Sequence, residues 1–126
     1  MSFEHALRVR YSEVDKQGVL YNAHYMAYCD DTTDTWFRTA LPGIFEVDVD
    51  VMVKAFSIEW KRAARLGETV AMTADVTRFG KTSFDIEVTG VVADEPAFAA
   101  KLVYVCIRPG TTETIQVPQS MRAALA

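Results

Sequence analysis

The second half of this chain places an apolar residue at every second position, a period that restricts it to a sheet with one dry and one wet face. In Phe56-Ser57-Ile58-Glu59-Trp60-Lys61 alternate residues are apolar. Val70, Met72, Ala74 and Val76 repeat the pattern among Thr69, Thr73, Asp75 and Thr77; Phe84, Ile86 and Val88 repeat it among Asp85, Glu87 and Thr89. Phe98 to Ile107 is apolar on nearly both faces, which suits a central strand or one at an interface. Turn chemistry separates these runs at Arg65-Leu66-Gly67-Glu68, Phe79-Gly80-Lys81 and Ala93-Asp94-Glu95-Pro96. Links this short join antiparallel neighbours.

The first third reads differently. Residues 6–11 alternate as a short strand, and Ser12 to Gly18 is a polar loop ending in glycine. Asn22 is a credible N-cap for a helix running to about Ala40, where Leu41-Pro42-Gly43 stops it. One long helix ahead of four long antiparallel strands implies an α+β fold, with the sheet wrapped around one long central helix. Pro118 to Leu125 suggests a short closing helix begun by proline. At 126 residues, without repeat or linker, the chain is expected to form one domain over residues 1–126.

Composition narrows the partners. The net charge is −4 and no block of consecutive Lys or Arg occurs, so neither nucleic acid nor a membrane surface finds a basic footprint. No stretch of about eighteen apolar residues exists. The start, Met1-Ser2-Phe3-Glu4-His5, lacks the charged and apolar regions of a signal peptide, so a cytoplasmic location is expected. Cys29 and Cys106 are read as reduced, buried thiols. So short a chain leaves much surface in water, which makes self-association plausible.

Chemistry concentrates between Tyr11 and Tyr28. Asp15 stands in a loop seven residues ahead of the helix cap, and Gly18 lets the backbone pass close to a ligand. The first amides of a helix point outward unpaired, at its electropositive end. An acyl carbonyl bound there is polarised and its developing oxyanion stabilised, while the carboxylate stands on the other side. Spacing alone more readily makes Asp15 a turn cap.

The run Tyr11-x-x-x-Asp15-x-x-Gly18-Val19-x-Tyr21-x-x-x-Tyr25 resembles the signature of the 4-hydroxybenzoyl-CoA thioesterase-like branch of the hot-dog superfamily. Phe56 to Glu68 resembles that family's second strand and following turn, Arg78 to Ser83 its next hairpin, and Val105-Cys106-Ile107 and Ile115-Gln116-Val117-Pro118 its endings. The resemblance implies a hot-dog fold and an acyl-CoA thioesterase acting on a short-chain, medium-chain or aromatic acyl group. It implies Asp15 as nucleophile or general base, the Asn22 N–H polarising the thioester carbonyl, and Gly18 admitting the substrate. Coenzyme A arrives with the substrate, and neither metal nor other cofactor is implied. The active site is implied to lie between subunits of a homodimer or homotetramer.

The resemblance also implies that Tyr21, His24 and Tyr25 lie near the substrate. Asp30 matches a position that reaches the phenol of hydroxybenzoyl substrates. Two departures stand: Asn22 and His24 look exchanged relative to many members, and Asp30-Asp31-Thr32-Thr33-Asp34-Thr35 is polar for a core helix. Arg62, Arg65, Arg78 and Lys81 are the candidates for the phosphates of coenzyme A, since each falls at a strand end or turn. Trp36, Phe37, Trp60 and Phe79 are candidates for an acyl pocket, or else core. Asp30, Asp34 and His24 superficially suggest a metal site, but acidic residues on a helix are more often solvated or paired. Two rival functions remain open on sequence. One is a hydratase or dehydratase using His24 with a carboxylate. The other is an acyl-binding module without turnover.

Overall fold

The computed structural model describes residues 2–47 and 49–126. Its strands are β1 (Ser2–Arg8), β2 (Asp50–Trp60), β3 (Thr69–Phe79), β4 (Ser83–Val92) and β5 (Glu95–Ile107). They form one antiparallel sheet in the order β1-β3-β4-β5-β2. The helices are α1 (His24–Ala40), the single turn α2 (Ile44–Val47) and α3 (Gln119–Leu125). None of them is long and apolar enough to cross a membrane.

The period-two segments behave as their pattern requires. On β3 and β4, Val70, Met72, Ala74, Phe84, Ile86 and Val88 are buried, while Thr69, Ala71, Asp75, Glu87 and Thr89 are exposed. The doubly apolar strand, β5, lies inside the sheet between β4 and β2. Against the dry face lies α1, whose buried stripe is Tyr25, Tyr28, Cys29, Thr32, Thr33, Trp36 and Phe37, the spacing of one helix face. Its rings meet several strands: Trp36 stacks at 6.1 Å on Phe3 of β1, Phe37 stands edge-on at 5.8 Å to Phe84 of β4, and Tyr25 edge-on at 5.3 Å to Phe98 of β5. The polar run in α1 is accommodated locally. The Thr32 hydroxyl donates to the Tyr28 carbonyl at 2.9 Å and the Thr33 hydroxyl to the Asp30 carbonyl at 3.0 Å, so their burial strands no donor.

Three expectations need correction. The first strand is Ser2–Arg8 rather than residues 6–11, because Tyr11–Glu13 winds into a 3-10 turn whose Glu13 side chain accepts the Arg10 N–H at 2.9 Å. His5 therefore lies within a strand, and its Nε2 meets Asp31 at 3.0 Å. Asn22 is not the N-cap of α1. That position falls to Ala23, already helical at φ −67°, with no side-chain cap, because the chain enters the helix through a tight turn in which the His24 N–H donates to the Tyr21 carbonyl at 2.9 Å. Finally, β2 begins at Asp50, several residues before Phe56, since it pairs with β5 along its whole length.

Candidate active site

Residues 13–21 fold back on themselves as a small hairpin. The Tyr21 N–H donates to the Glu13 carbonyl at 2.9 Å, and the Asp15 N–H to the Val19 carbonyl at 2.9 Å, with Val14 and Leu20 paired between them. Gly18 sits in the turn at φ +77°, a left-handed conformation that a side chain would strain. Its carbonyl accepts the Leu66 N–H at 3.2 Å, fastening the hairpin to the turn between β2 and β3.

At the hairpin tip the Asp15 carboxylate is half-buried. Its Oδ1 accepts the Gln17 N–H at 2.8 Å and the Val19 N–H at 3.4 Å. The Gln17 carboxamide, turned nitrogen-inward, lies 3.1 and 3.2 Å from Oδ1 and Oδ2. These bonds fix the carboxylate at the hairpin tip. Asp15 is thus both of the things the spacing allowed, a turn cap and a presented carboxylate.

The tip opens on a cleft of about 360 Å³ lined by Asp15, Asn22, Tyr25, Trp60, Lys61 and Arg62, with Val19, Leu20 and Ala63. The Asn22 N–H precedes the helical bonds of α1; the N–H groups of His24 and Tyr25 find carbonyls in the first turn, while that of Asn22 meets no acceptor among the described residues. A carboxylate, an unpaired amide at the positive end of a helix, and an aromatic wall therefore share one opening. The Tyr25 phenol accepts the Ala64 N–H at 3.3 Å, and burial raises its pKa, so it walls the cleft as a neutral group.

The other expected residues fall elsewhere. Tyr21 is exposed and its ring stands edge-on to that of His24 at 6.0 Å; neither lines the cleft. Arg62 reaches the cleft but is already engaged, donating to Glu68 at 2.8 Å and to the Val92 carbonyl at 2.9 Å. Arg78 is held by both oxygens of Asp85, at 2.9 and 3.1 Å, and by Ser83 at 3.0 Å. Arg78 and Lys81 lie at the far end of β3, roughly 30 Å along the strand from the turn that holds the hairpin. Asp30 lines a second cavity, of about 420 Å³, with Asp34, Phe37, Phe45, Val53 and Tyr104. There its Oδ1 accepts the Tyr104 hydroxyl at 2.9 Å, and Tyr104 also bonds Thr33. Asp34 pairs with Arg38 at 2.9 Å.

Of the four large aromatics offered for an acyl pocket, Trp36 and Phe37 are core, and Trp60, 48% exposed, is the one in the Asp15 cleft. Sequence reading passed over Lys61, Glu13 and Tyr104. Lys61 was legible as the residue after a strand end; the roles of Glu13 and Tyr104 depend on contacts with α1 that no local pattern announces.

A family model described as the thioesterase superfamily matches residues 17–98. No curated protein matches this sequence. Among solved structures, a 1,4-dihydroxy-2-naphthoyl-CoA thioesterase from Synechocystis is similar with a TM-score of 0.86 at 19% identity, covering 99% of this chain and 96% of that one. A gentisyl-coenzyme A thioesterase is similar with a TM-score of 0.85 at 14% identity, covering 97% and 98%. A Staphylococcus aureus protein solved in complex with CoA is similar with a TM-score of 0.87 at 14% identity, covering 98% and 81%. At these identities the likeness establishes a shared fold.

Proposed function

This chain belongs to the thioesterase superfamily, and from that premise we propose that it hydrolyses an acyl-CoA to the free acid and coenzyme A at the Asp15 cleft. One observation carries the reading: Asp15 and Asn22, whose N–H is unpaired among the described residues, line the same opening. The thioester carbonyl accepts from the Asn22 N–H, which stabilises the oxyanion as it forms. Asp15 then either attacks the carbonyl carbon itself or takes the proton of an attacking water, and the coenzyme A thiolate leaves. Carboxylate and amide are sufficient for this chemistry, so on this reading it draws on no metal or redox cofactor. The enzyme acts in the cytoplasm.

Trp60 forms the apolar wall beside the reacting carbonyl, and Lys61 is the cation in the same cleft for a coenzyme A phosphate. The acyl group is aromatic or of short to medium length. Asp30 lines a separate cavity of its own protomer, so a hydroxylated aromatic group would meet it only from the cleft of a neighbouring protomer.

The site is completed in a homodimer, itself able to pair into a tetramer. Its support is β2, an edge strand bonded on one side to β5, whose Val51, Val53, Phe56 and Ile58 are only half-covered. Antiparallel pairing of two such edges sets the Asp50 end of one strand beside the Trp60 end of the other. The partner's half of the sheet then brings the Arg78 and Lys81 end toward the Asp15 end, and on this reading those cations serve across the interface. The fold reading is a hot-dog in which the sheet curves round α1.

The test is release of free thiol, read with a thiol-reactive dye, across acyl-CoAs from acetyl to palmitoyl and including benzoyl, 4-hydroxybenzoyl and phenylacetyl. Turnover of at least one substrate is expected, with Asp15→Asn slower by about 10²–10⁴-fold and still folded. A folded protein silent on every substrate would replace the enzyme with an acyl-binding module. Single-turnover hydrolysis in heavy-oxygen water separates the two routes. Direct attack by Asp15 forms a mixed anhydride, and water opening it at the Asp15 carboxyl carbon leaves the first product acid unlabelled and the label on Asp15, an outcome that attack by water on the thioester does not give.

A further inference from the structure

Glu13 is a buried carboxylate that the proposed chemistry does not use, 7% exposed and two residues before Asp15. Its Oε1 accepts the Tyr28 hydroxyl at 2.7 Å and the Arg10 N–H at 2.9 Å, and its Oε2 accepts from the Arg10 guanidinium at 2.9 Å. Its main-chain carbonyl accepts the Tyr21 N–H at 2.9 Å and so closes the base of the hairpin that presents Asp15. One residue therefore ties the hairpin base, the segment following β1 and the second turn of α1 together. Because Tyr28 rides on the helix whose approach carries the Asn22 amide, this tie joins the element bearing the carboxylate to the element bearing the oxyanion donor.

We infer that Glu13 and Tyr28 are positioning residues, which set the distance and angle between the Asp15 carboxylate and the Asn22 N–H. The inference rests on the reading of Asp15 and Asn22 as the reacting pair. Three physical points support it. The hydroxyl-to-carboxylate bond is buried at both ends, since Tyr28 is 4% exposed, and a charge-assisted bond of this kind is short and directional. The Arg10 side chain is largely in solvent, so its ion pair is screened and the Tyr28 bond bears most of the alignment. And Glu13 stays ionised at any working pH, because the Arg10 guanidinium, then the Tyr28 hydroxyl and Arg10 N–H, hold its carboxyl down at about 2 against the opposing effect of burial. Glu13 is thus a fixed acceptor and no proton carrier. Displacing two reacting groups by a fraction of an ångström lowers the rate steeply without weakening ground-state binding.

The experiment measures kcat, KM and melting temperature for Tyr28→Phe, Glu13→Gln and Glu13→Ala beside the wild type and Asp15→Asn, on the acyl-CoA that the wild type hydrolyses best. Tyr28→Phe is expected to lower kcat by about tenfold or more with KM within about twofold, a split that loss of stability alone does not produce. Glu13→Gln, which keeps an oxygen for the Tyr28 hydroxyl, is expected to retain more turnover than Glu13→Ala. Should Glu13→Ala fail to fold, Tyr28→Phe and Glu13→Gln decide the matter. Wild-type kcat in Tyr28→Phe, or a raised KM at unchanged kcat, overturns the positioning role. An inactive Asp15→Asn beside a full-speed Tyr28→Phe removes that role alone. An Asp15→Asn enzyme as fast as wild type overturns the reading of the site and this inference with it.

Discussion

The residue scale is governed by how each buried charge is paired. Glu13 and Asp85 are the buried carboxylates among the described residues, and both are held by cations: Arg10 at Glu13, Arg78 and Lys101 at Asp85. Each therefore has a pKa below its ordinary value, Glu13 at about 2 instead of 4.5. A carboxyl depressed by folding contributes stability that is complete above its unfolded value and lost as the pH falls through its folded one. For Glu13 that window runs from about 4.5 down to about 2. Melting temperature followed across this window should fall for the wild type, while Glu13→Gln starts lower at neutral pH and falls less. Parallel curves would mean that Glu13 titrates alike folded and unfolded. The sequence marked Asp15 and Gly18 because a carboxylate and a glycine ahead of a helix carry local meaning. Glu13 was illegible, because its partner Tyr28 lies fifteen residues on and meets it only once the helix docks.

Elements are decided by turns and close approaches. The β4–β5 hairpin turns on Ala93 and Asp94, both left-handed at φ 51° and 64°, where a side chain is costly. The paired positive angles are those of a two-residue hairpin turn that favours glycine. Asp94→Gly should stabilise the protein by about 1 kcal/mol in denaturant titration. On the adjacent strand the constraint is reversed. A Cβ at Gly90 would stand 2.1 Å from the Phe98 ring, which itself supports Tyr25 in the wall of the cleft. Gly90→Ala should cost about 1–3 kcal/mol, and the disturbance should reach turnover through Tyr25. Unchanged stability would show that Phe98 has room to move. The alternation of β3 and β4 announced these strands, but nothing in it distinguished Gly90 from any other strand position.

At the scale of the whole molecule the open question is what covers β2. The helix stripe reaches β2 as well, through Tyr25 edge-on to Trp60 at 5.7 Å, yet Val51, Val53, Phe56 and Ile58 remain half-covered and Met52 is exposed at that edge. Half-buried apolar residues on an unpaired edge favour association of like with like. Sedimentation should give a dimer or a multiple of it, and Met52→Lys should shift the mass toward the protomer and reduce turnover together. A wild-type protomer of full activity would remove the interface from the mechanism. The second cavity, lined by Asp30, Phe45 and Val53, opens along the same edge, so pairing of two such edges would reshape it.

By itself the sequence determined the class of fold and marked the segment on which the proposed chemistry rests. Period-two patterning, a helix stripe and short turns are local signals, and they set which faces must be buried; the Tyr11 to Tyr28 run singled out the Asp15 carboxylate, while the helix begins at His24 rather than just after Asn22. Tertiary structure alone decided which of the named residues meet. Asp15, Asn22, Tyr25 and Arg62 converge because the hairpin is fastened to the β2–β3 turn, whereas Asp30 is carried along α1 to another cavity and Arg78 to the far end of β3. The Arg62 charge is spent on Glu68, and Glu13 gains its role from Tyr28. Local pattern reports burial and direction, which depend on the residue's own backbone. Convergence and pairing depend on distances across the chain, and these exist only after the elements have packed.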